Sequence, residues 1–211
     1  MALTLMYSGP LPSSQSKGAG GINRNVIKQA IRRQLHPQIR EYVKSNPDKA
    51  RLFEWLRGDI AGTQGFDNQE VDWSALQESF RRGKFTFLPL IFDAAHAICH
   101  LNIQFLRHEK IGSLIVNVGK NGGDLDNRLK TFFDALQIPK PEQIPNGDEP
   151  CSDEEPFYCL LQDDSLVTNF LVESKTLFTP TPEGQERDVV LIVDVTVTFS
   201  RRTWLNEALI L

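Results

Sequence analysis

The sequence predicts an α+β fold, a mixed β-sheet with helices packed on it, and three observations support this. The first half carries apolar residues at three- and four-residue steps, Val26, Ile27, Ala30, Ile31, Leu35, Ile39 and Val43, the period of a helix with one buried face. The second half changes to runs in which Leu101, Ile103 and Phe105 alternate with Asn102 and Gln104, the period of a half-buried strand. No internal repeat divides the chain, so helices and strands share one unit rather than stacking as modules.

Leu3 to Tyr7 is expected to be a short strand, stopped by Gly9, Pro10 and Pro12. Ser13 to Gly21 follows as a Ser/Gly-rich loop, then a long helix from about Asn23 that Pro37 should kink or divide. Asp48 to Leu56 and Asp72 to Phe80 read as short helices, with loop from Arg57 to Val71 between them. Lys84 to Phe92 and Ile98 to Leu106 read as strands. Asp124 to Leu136 is an amphipathic helix with Leu125, Leu129, Phe132, Phe133 and Leu136 on its apolar stripe, ended by Pro139 and Pro141. Residues 139–156 hold five prolines and the acids Asp148, Glu149, Asp153, Glu154 and Glu155. So little apolar surface predicts a mobile excursion, and one so acidic could gate access to a phosphate-binding surface. Tyr158 to Leu161, Leu166 to Glu173 and Val189 to Phe199 complete the strands.

At 211 residues with 40% hydrophobic and 24% charged side chains, the chain can bury the core of one domain. No run approaches the 18 or so apolar residues of a membrane span, and the first residues lack the basic start of a signal peptide. Three scattered cysteines, Cys99, Cys151 and Cys159, fit reduced thiols and a cytoplasmic protein. The net charge of −4 hides a strong asymmetry. Residues 1–60 carry ten bases against four acids, and residues 131–211 five against fifteen. Phosphate recognition is local, so Lys28, Arg32, Arg33, Arg40 and Lys44 are either a nucleic-acid surface or an ordinary solvated helix face.

The informative stretch is Gly122-Gly123-Asp124-Leu125-Asp126-Asn127-Arg128-Leu129-Lys130. Asp124 is placed to cap the helix and Asp126 lies in its first turn, where the helix dipole favours negative charge. Capping alone would explain Asp124. Lys130 follows Asp126 by one turn on the same face, and Asp163-Asp164 stands between two strand-like runs. Such an acid pair is ordinarily a turn. Beside a helix start that already holds two acids, it offers a third carboxylate. Oxygen-rich sites of this composition suit Mg²⁺ or Mn²⁺ with a phosphate substrate. Arg128 could add a phosphate contact or simply face solvent.

These residues resemble a known family. Asp124-Leu125-Asp126-Asn127-x-x-Lys130, then Phe133-Asp134-Ala135-Leu136, then Asp163-Asp164-x-x-Val167 is similar to the signature of the RusA-type Holliday-junction resolvases. The likeness extends to the opening strand with its Pro-rich turn and to the flanking strands, about half the chain. It implies a single RusA-like nuclease domain over residues 1–211, with insertions around 46–84 and 137–158. It also implies metal-binding acids at Asp124, Asp126 and Asp164, a catalytic lysine at Lys130, and a homodimer that nicks branched DNA in recombination or repair. The family's arginine run before the acids is replaced here by Ser113 to Gly123. That departure leaves open a metal nuclease on flaps, single strands or RNA, or a non-catalytic DNA-binding subunit that kept the fold.

Weaker constellations count for less. His96, Cys99 and His100, with His108 after them, have helical zinc-ligand spacing but lead into a strand, where such ligands would not converge. Gly18-Ala19-Gly20-Gly21 lacks the Gly-Lys-Ser/Thr ending of a phosphate loop. Trp55, Trp73 and Trp204 are too scattered to form a base-stacking platform.

Overall fold

The computed structural model describes residues 2–11, 23–57, 72–108, 125–179, 188–203 and 206. The expectations for the Ser13–Gly21 loop, residues 58–71, Asp124 and Trp204 lie outside these residues. The architecture is α+β, with two sheets and four helices among the described residues. The larger sheet joins β1 (Ala2–Pro10), β7 (Asp188–Phe199), β4 (Ala97–Arg107) and β6 (Val167–Thr176) in that order. β7 runs antiparallel to both its neighbours, whereas β4 and β6 are parallel. The smaller sheet orders β2 (Arg81–Arg82), β3 (Phe85–Ile91) and β5 (Phe157–Leu161), with β3 and β5 parallel.

Side-chain pattern decides how each sheet is used. In β4 every second residue from Ala97 to Arg107 is buried while Asn102 and His100 are exposed, so the larger sheet turns one face to the core. β5 is buried at all five positions and β3 at all but Thr86, which is why their sequences are continuous apolar runs. The buried residues of both sheets and of the helices form one connected cluster. No helix of the described residues is long and apolar enough to cross a membrane.

α1 (Arg24–Lys44) packs against β1, β5, α2 (Pro47–Arg57) and α4 (Leu125–Leu136). Asn23 caps it, its side chain accepting from Asn25 N at 3.0 Å. Pro37 does not divide the helix, one of the two outcomes the sequence suggests. Its missing N–H costs the Arg33 carbonyl a partner, but Ile31, Leu35, Ile39 and Val43 are all buried and hold both halves on one core. α3 (Trp73–Ser79) begins as expected, with Asp72 accepting from Ala75 N.

Two expectations are corrected together. Arg33 and Arg40 of α1 are not simply a solvated face, and residues 139–156 are not a free excursion. Arg33 pairs with Asp148 at 2.8 Å and with Glu154 at 2.9 Å, and its guanidinium also reaches the Glu149 carbonyl. Arg40 bonds the Asp153 carbonyl, His36 bonds it as well, and Lys84 pairs with Glu149. Glu154 is buried. Part of the basic first third is thus paired with the acidic segment 148–154, and Lys44 alone of the six α1 bases is exposed. Ion pairs and backbone hydrogen bonds anchor a segment that composition left without an apolar anchor.

Candidate metal site

α4 is placed by α1. Lys28 pairs with Asp134 at 2.7 Å, and buried Arg32 donates to the carbonyls of Asp134 at 2.7 Å and Gln137 at 3.3 Å. A helix leaves its last carbonyls without intrahelical donors. A cation there satisfies them and complements the negative end of the dipole. Burial lowers the Arg32 pKa to about 10, with Cys159 and Asp134 opposing, so it is still a cation at neutral pH. Phe132 packs on Tyr7 of β1 and Phe133 on Phe170 of β6, ring centroids 6.5 and 5.2 Å apart. Arg128 is buried, so it does not face solvent.

Asp126 and Lys130 are exposed on α4. The Asp126 carboxylate accepts from Asn127 N at 2.8 Å. At 100° per residue, Asp126, Lys130, Phe133 and the position of Gln137 fall on one stripe. That stripe faces β6 through Phe133 and the acid pair through Gln137, whose Oε1 accepts from Asp164 N at 3.1 Å. Gln137 also sits in a parallel bridge with Leu161, the last residue of β5, so the strand end and the helix end meet where the acid pair begins.

The two acids of that pair are used differently. Asp163 caps the single 3-10 turn at Asp164–Leu166, its carboxylate accepting from Ser165 N at 3.0 Å. The Ser165 hydroxyl and amide hold the Asp163 carboxyl below the ordinary carboxylate range. Asp164 does no capping, and it is exposed. The sequence reading chose Asp164 as the acid for chemistry and took the pair for an ordinary turn as the alternative; Asp163 is that turn.

Asp126 and Asp164 share a side of α4 but not an end of it. Eleven residues of rise separate Asp126 from Gln137, about 16 Å along the helix. Asp124 lies outside the described residues, among which no group of three His, Cys, Asp or Glu is placed to hold a metal. Both described acids are exposed carboxylates of the kind a hard cation prefers, and Lys130 lies on the same stripe. Gln137 escaped the sequence reading, although its place seven residues after Lys130 was a signal that it shared the stripe.

The rejected zinc set stays rejected. Cys99 is buried while His100 is exposed on the opposite side of β4, and His96 sits in a left-handed turn at φ 51°. Burial pushes the Cys99 thiol up to about 12, so it is a core residue rather than a thiolate ligand. Trp55 packs partly buried against the core. Comparison of the chain with protein-family models, with curated proteins and with solved structures finds no significant match.

Proposed function

We propose that this chain is a divalent-metal-dependent endodeoxyribonuclease acting on branched DNA in recombination or repair, as a homodimer with one site per subunit. Asp124, Asp126 and Asp164 are its metal-binding acids and Lys130 its charge-neutralising base. The observation that carries the reading is the α4 stripe: an exposed acid, an exposed lysine one turn on, and a glutamine that fixes the backbone of a second exposed acid. A binding protein gains nothing from exposed carboxylates on a surface that meets phosphate.

Mg²⁺ or Mn²⁺, when bound, would supply water activation and charge neutralisation at phosphorus. The chain's own residues orient and stabilise. Asp126 presents carboxylate oxygens at the start of α4, and Lys130 holds an ammonium where charge grows on the phosphate oxygens. Free thiols at Cys99, Cys151 and Cys159 suit a reducing, cytoplasmic setting.

The test is cleavage of labelled four-way junction, flap, single-stranded and linear duplex DNA, each with Mg²⁺ and with EDTA. Asp126→Asn abolishes cleavage and leaves DNA binding intact or tighter, because one negative charge leaves the surface. Lys130→Ala slows turnover by about a hundredfold, the usual effect of removing one transition-state donor. Mn²⁺ titration of Asp164→Asn reports whether that acid shares the cation. Cleavage confined to flaps or RNA moves the substrate class. Binding without cleavage under any metal leaves a non-catalytic DNA-binding subunit.

A further inference from the structure

β6 ends the larger sheet, and its outer edge pairs with no described strand. Edge strands are normally blunted by charge of one sign, by proline or by a covering element, because their free N–H and C=O groups invite pairing with another chain. Residues 170–178 read Phe-Leu-Val-Glu-Ser-Lys-Thr-Leu-Phe. Around Ser174 this is a near-palindrome: Phe170 mirrors Phe178, Leu171 mirrors Leu177, and β-branched Val172 mirrors β-branched Thr176. The one departure from like-with-like is Glu173 against Lys175, which are of opposite charge. A strand with this pattern is complementary to an antiparallel copy of itself.

Three features of the fold agree with that register. The Leu177 N–H donates to the Arg107 carbonyl at 2.7 Å, so pairing with β4 persists past Thr176 and odd-numbered residues bond inward. By alternation the even-numbered residues, Ser174 included, turn their N–H and C=O toward the free edge. A two-fold axis at Ser174 therefore makes Ser174 opposite Ser174 a hydrogen-bonded pair, as an antiparallel ladder requires. Second, Phe170, Leu171 and Phe178 are three of the five exposed large hydrophobic residues among those described, at 53%, 57% and 92%. Third, the Ser174 hydroxyl oxygen is buried without a hydrogen-bond partner, and the same register sets a second Ser174 opposite it.

We propose that β6 is the interface between two copies of this chain, paired antiparallel about Ser174 so that two four-stranded sheets become one continuous sheet. The contact is isologous, as closed two-fold assembly demands. Glu173 and Lys175, which pair within one strand at 3.0 Å, lie on the outer face at the closer, non-hydrogen-bonded positions. Each meets the opposite charge of the second copy. Phe178, carried by alternation to the inner face, packs beside the Phe170–Phe133 pair and so against the α4 stripe. This interface rests on the homodimer of the proposed function and gives it a surface, and its test reads mass, not cleavage, so a failed interface and an absent nuclease activity are told apart.

The experiment is sedimentation or light scattering of the full chain over a concentration series, with melting curves as the folding control. The wild type is a dimer. Glu173→Lys and Lys175→Glu each set like charges face to face twice, weakening dimerisation by about tenfold or more. An equimolar mixture of the two variants restores the dimer. One chain then brings two lysines to the axis and the other two glutamates, so both facing pairs are again of opposite charge. Ser174→Pro also yields monomer while keeping the fold, since it removes only an N–H that points away from β4. A wild type that is monomeric throughout, single charge variants that dimerise like wild type, or a mixture that stays monomeric would each overturn the assignment.

Discussion

The two edges of the larger sheet solve the same problem in opposite ways. At β1 the outward backbone groups are taken by α1: Gln38 accepts from Met6 N at 2.8 Å and donates to Met6 O at 2.7 Å. Gln34 does the same for Ser8, at 3.2 and 3.0 Å. A primary amide carries one acceptor and two donors, so each glutamine imitates the peptide group of a missing strand. The spacing matches as well. Four residues of helix rise about 6 Å, and two residues of strand about 6.8 Å. β6 has no such cover among the described residues, and its side chains are self-complementary instead. A sheet edge is thus closed by chemistry matched in spacing, or left open and given one partner.

The closed edge depends on α1 staying where its glutamines reach, and the largest expected effect comes from removing what holds it there. Arg33→Ala strands the buried Glu154 carboxylate with the Cys151 N–H, at 3.0 Å, as its remaining recorded donor. Hydrogen bonds to charged groups contribute roughly 1.5–3 kcal/mol, and an abandoned buried acceptor costs its desolvation. Chemical denaturation should show a loss of that size, recovered in part when Glu154→Ala is added. A change below about 0.5 kcal/mol, the scatter of ordinary surface substitutions, would mean that apolar packing alone positions α1.

That clamp marks where the sequence stops being readable. The buried face of α1 was legible, because Ile27, Ile31, Leu35, Ile39 and Val43 repeat at helical steps and all five are buried. So were β4 and β7, whose alternation is local. Charge shows its sign in a sequence but not its partner: Arg33 and Glu154 are 121 residues apart, and nothing near either names the other. For the same reason the five prolines of 139–156 suggested mobility, while the bonds that fix the segment come from α1. Of the candidate site, the position of Asp126 and Lys130 on one helix face was legible. The bond from Asp164 N to Gln137 was not, since it depends on where the end of β5 meets Gln137. The palindrome of β6 is present in the letters, but only the strand order shows that it lies on an edge.

A smaller effect on the same clamp is pH-dependent. His36 Nδ1 accepts from Tyr158 N at 2.8 Å while Nε2 donates to the Asp153 carbonyl at 3.1 Å, an arrangement that needs the neutral ring. Burial holds its pKa below the ordinary 6.5, Arg40 adding to the shift and Glu154 opposing it. The unfolded chain therefore binds the proton first as pH falls below about 6.5, and stability drops with it. Above that value the contribution is complete. The melting temperature should fall from pH 7.5 to pH 5, and His36→Gln should flatten that slope whatever its effect at pH 7.5. An equal slope in the variant would assign the acid loss to other groups.

The smallest effect on stability tests the comparison most directly. Gln34→Ala with Gln38→Ala removes the four bonds to Met6 and Ser8, yet those backbone groups lie at the surface and can turn to water. The net loss should be about 1 kcal/mol or less, toward the low end for exchanged hydrogen bonds. Assembly should respond more strongly than stability. With β1 uncovered, each dimer paired through β6 carries two further open edges, and sheets can add end to end. Scattering should then climb past the dimer mass as concentration rises. Adding Glu173→Lys closes the other route, so growth should stop at species paired through β1 alone. If the double-glutamine variant stays at the dimer mass at every concentration, the glutamines are not what protects β1. Pro10 at the end of the strand, which offers no N–H to a neighbour, is then left as its guard.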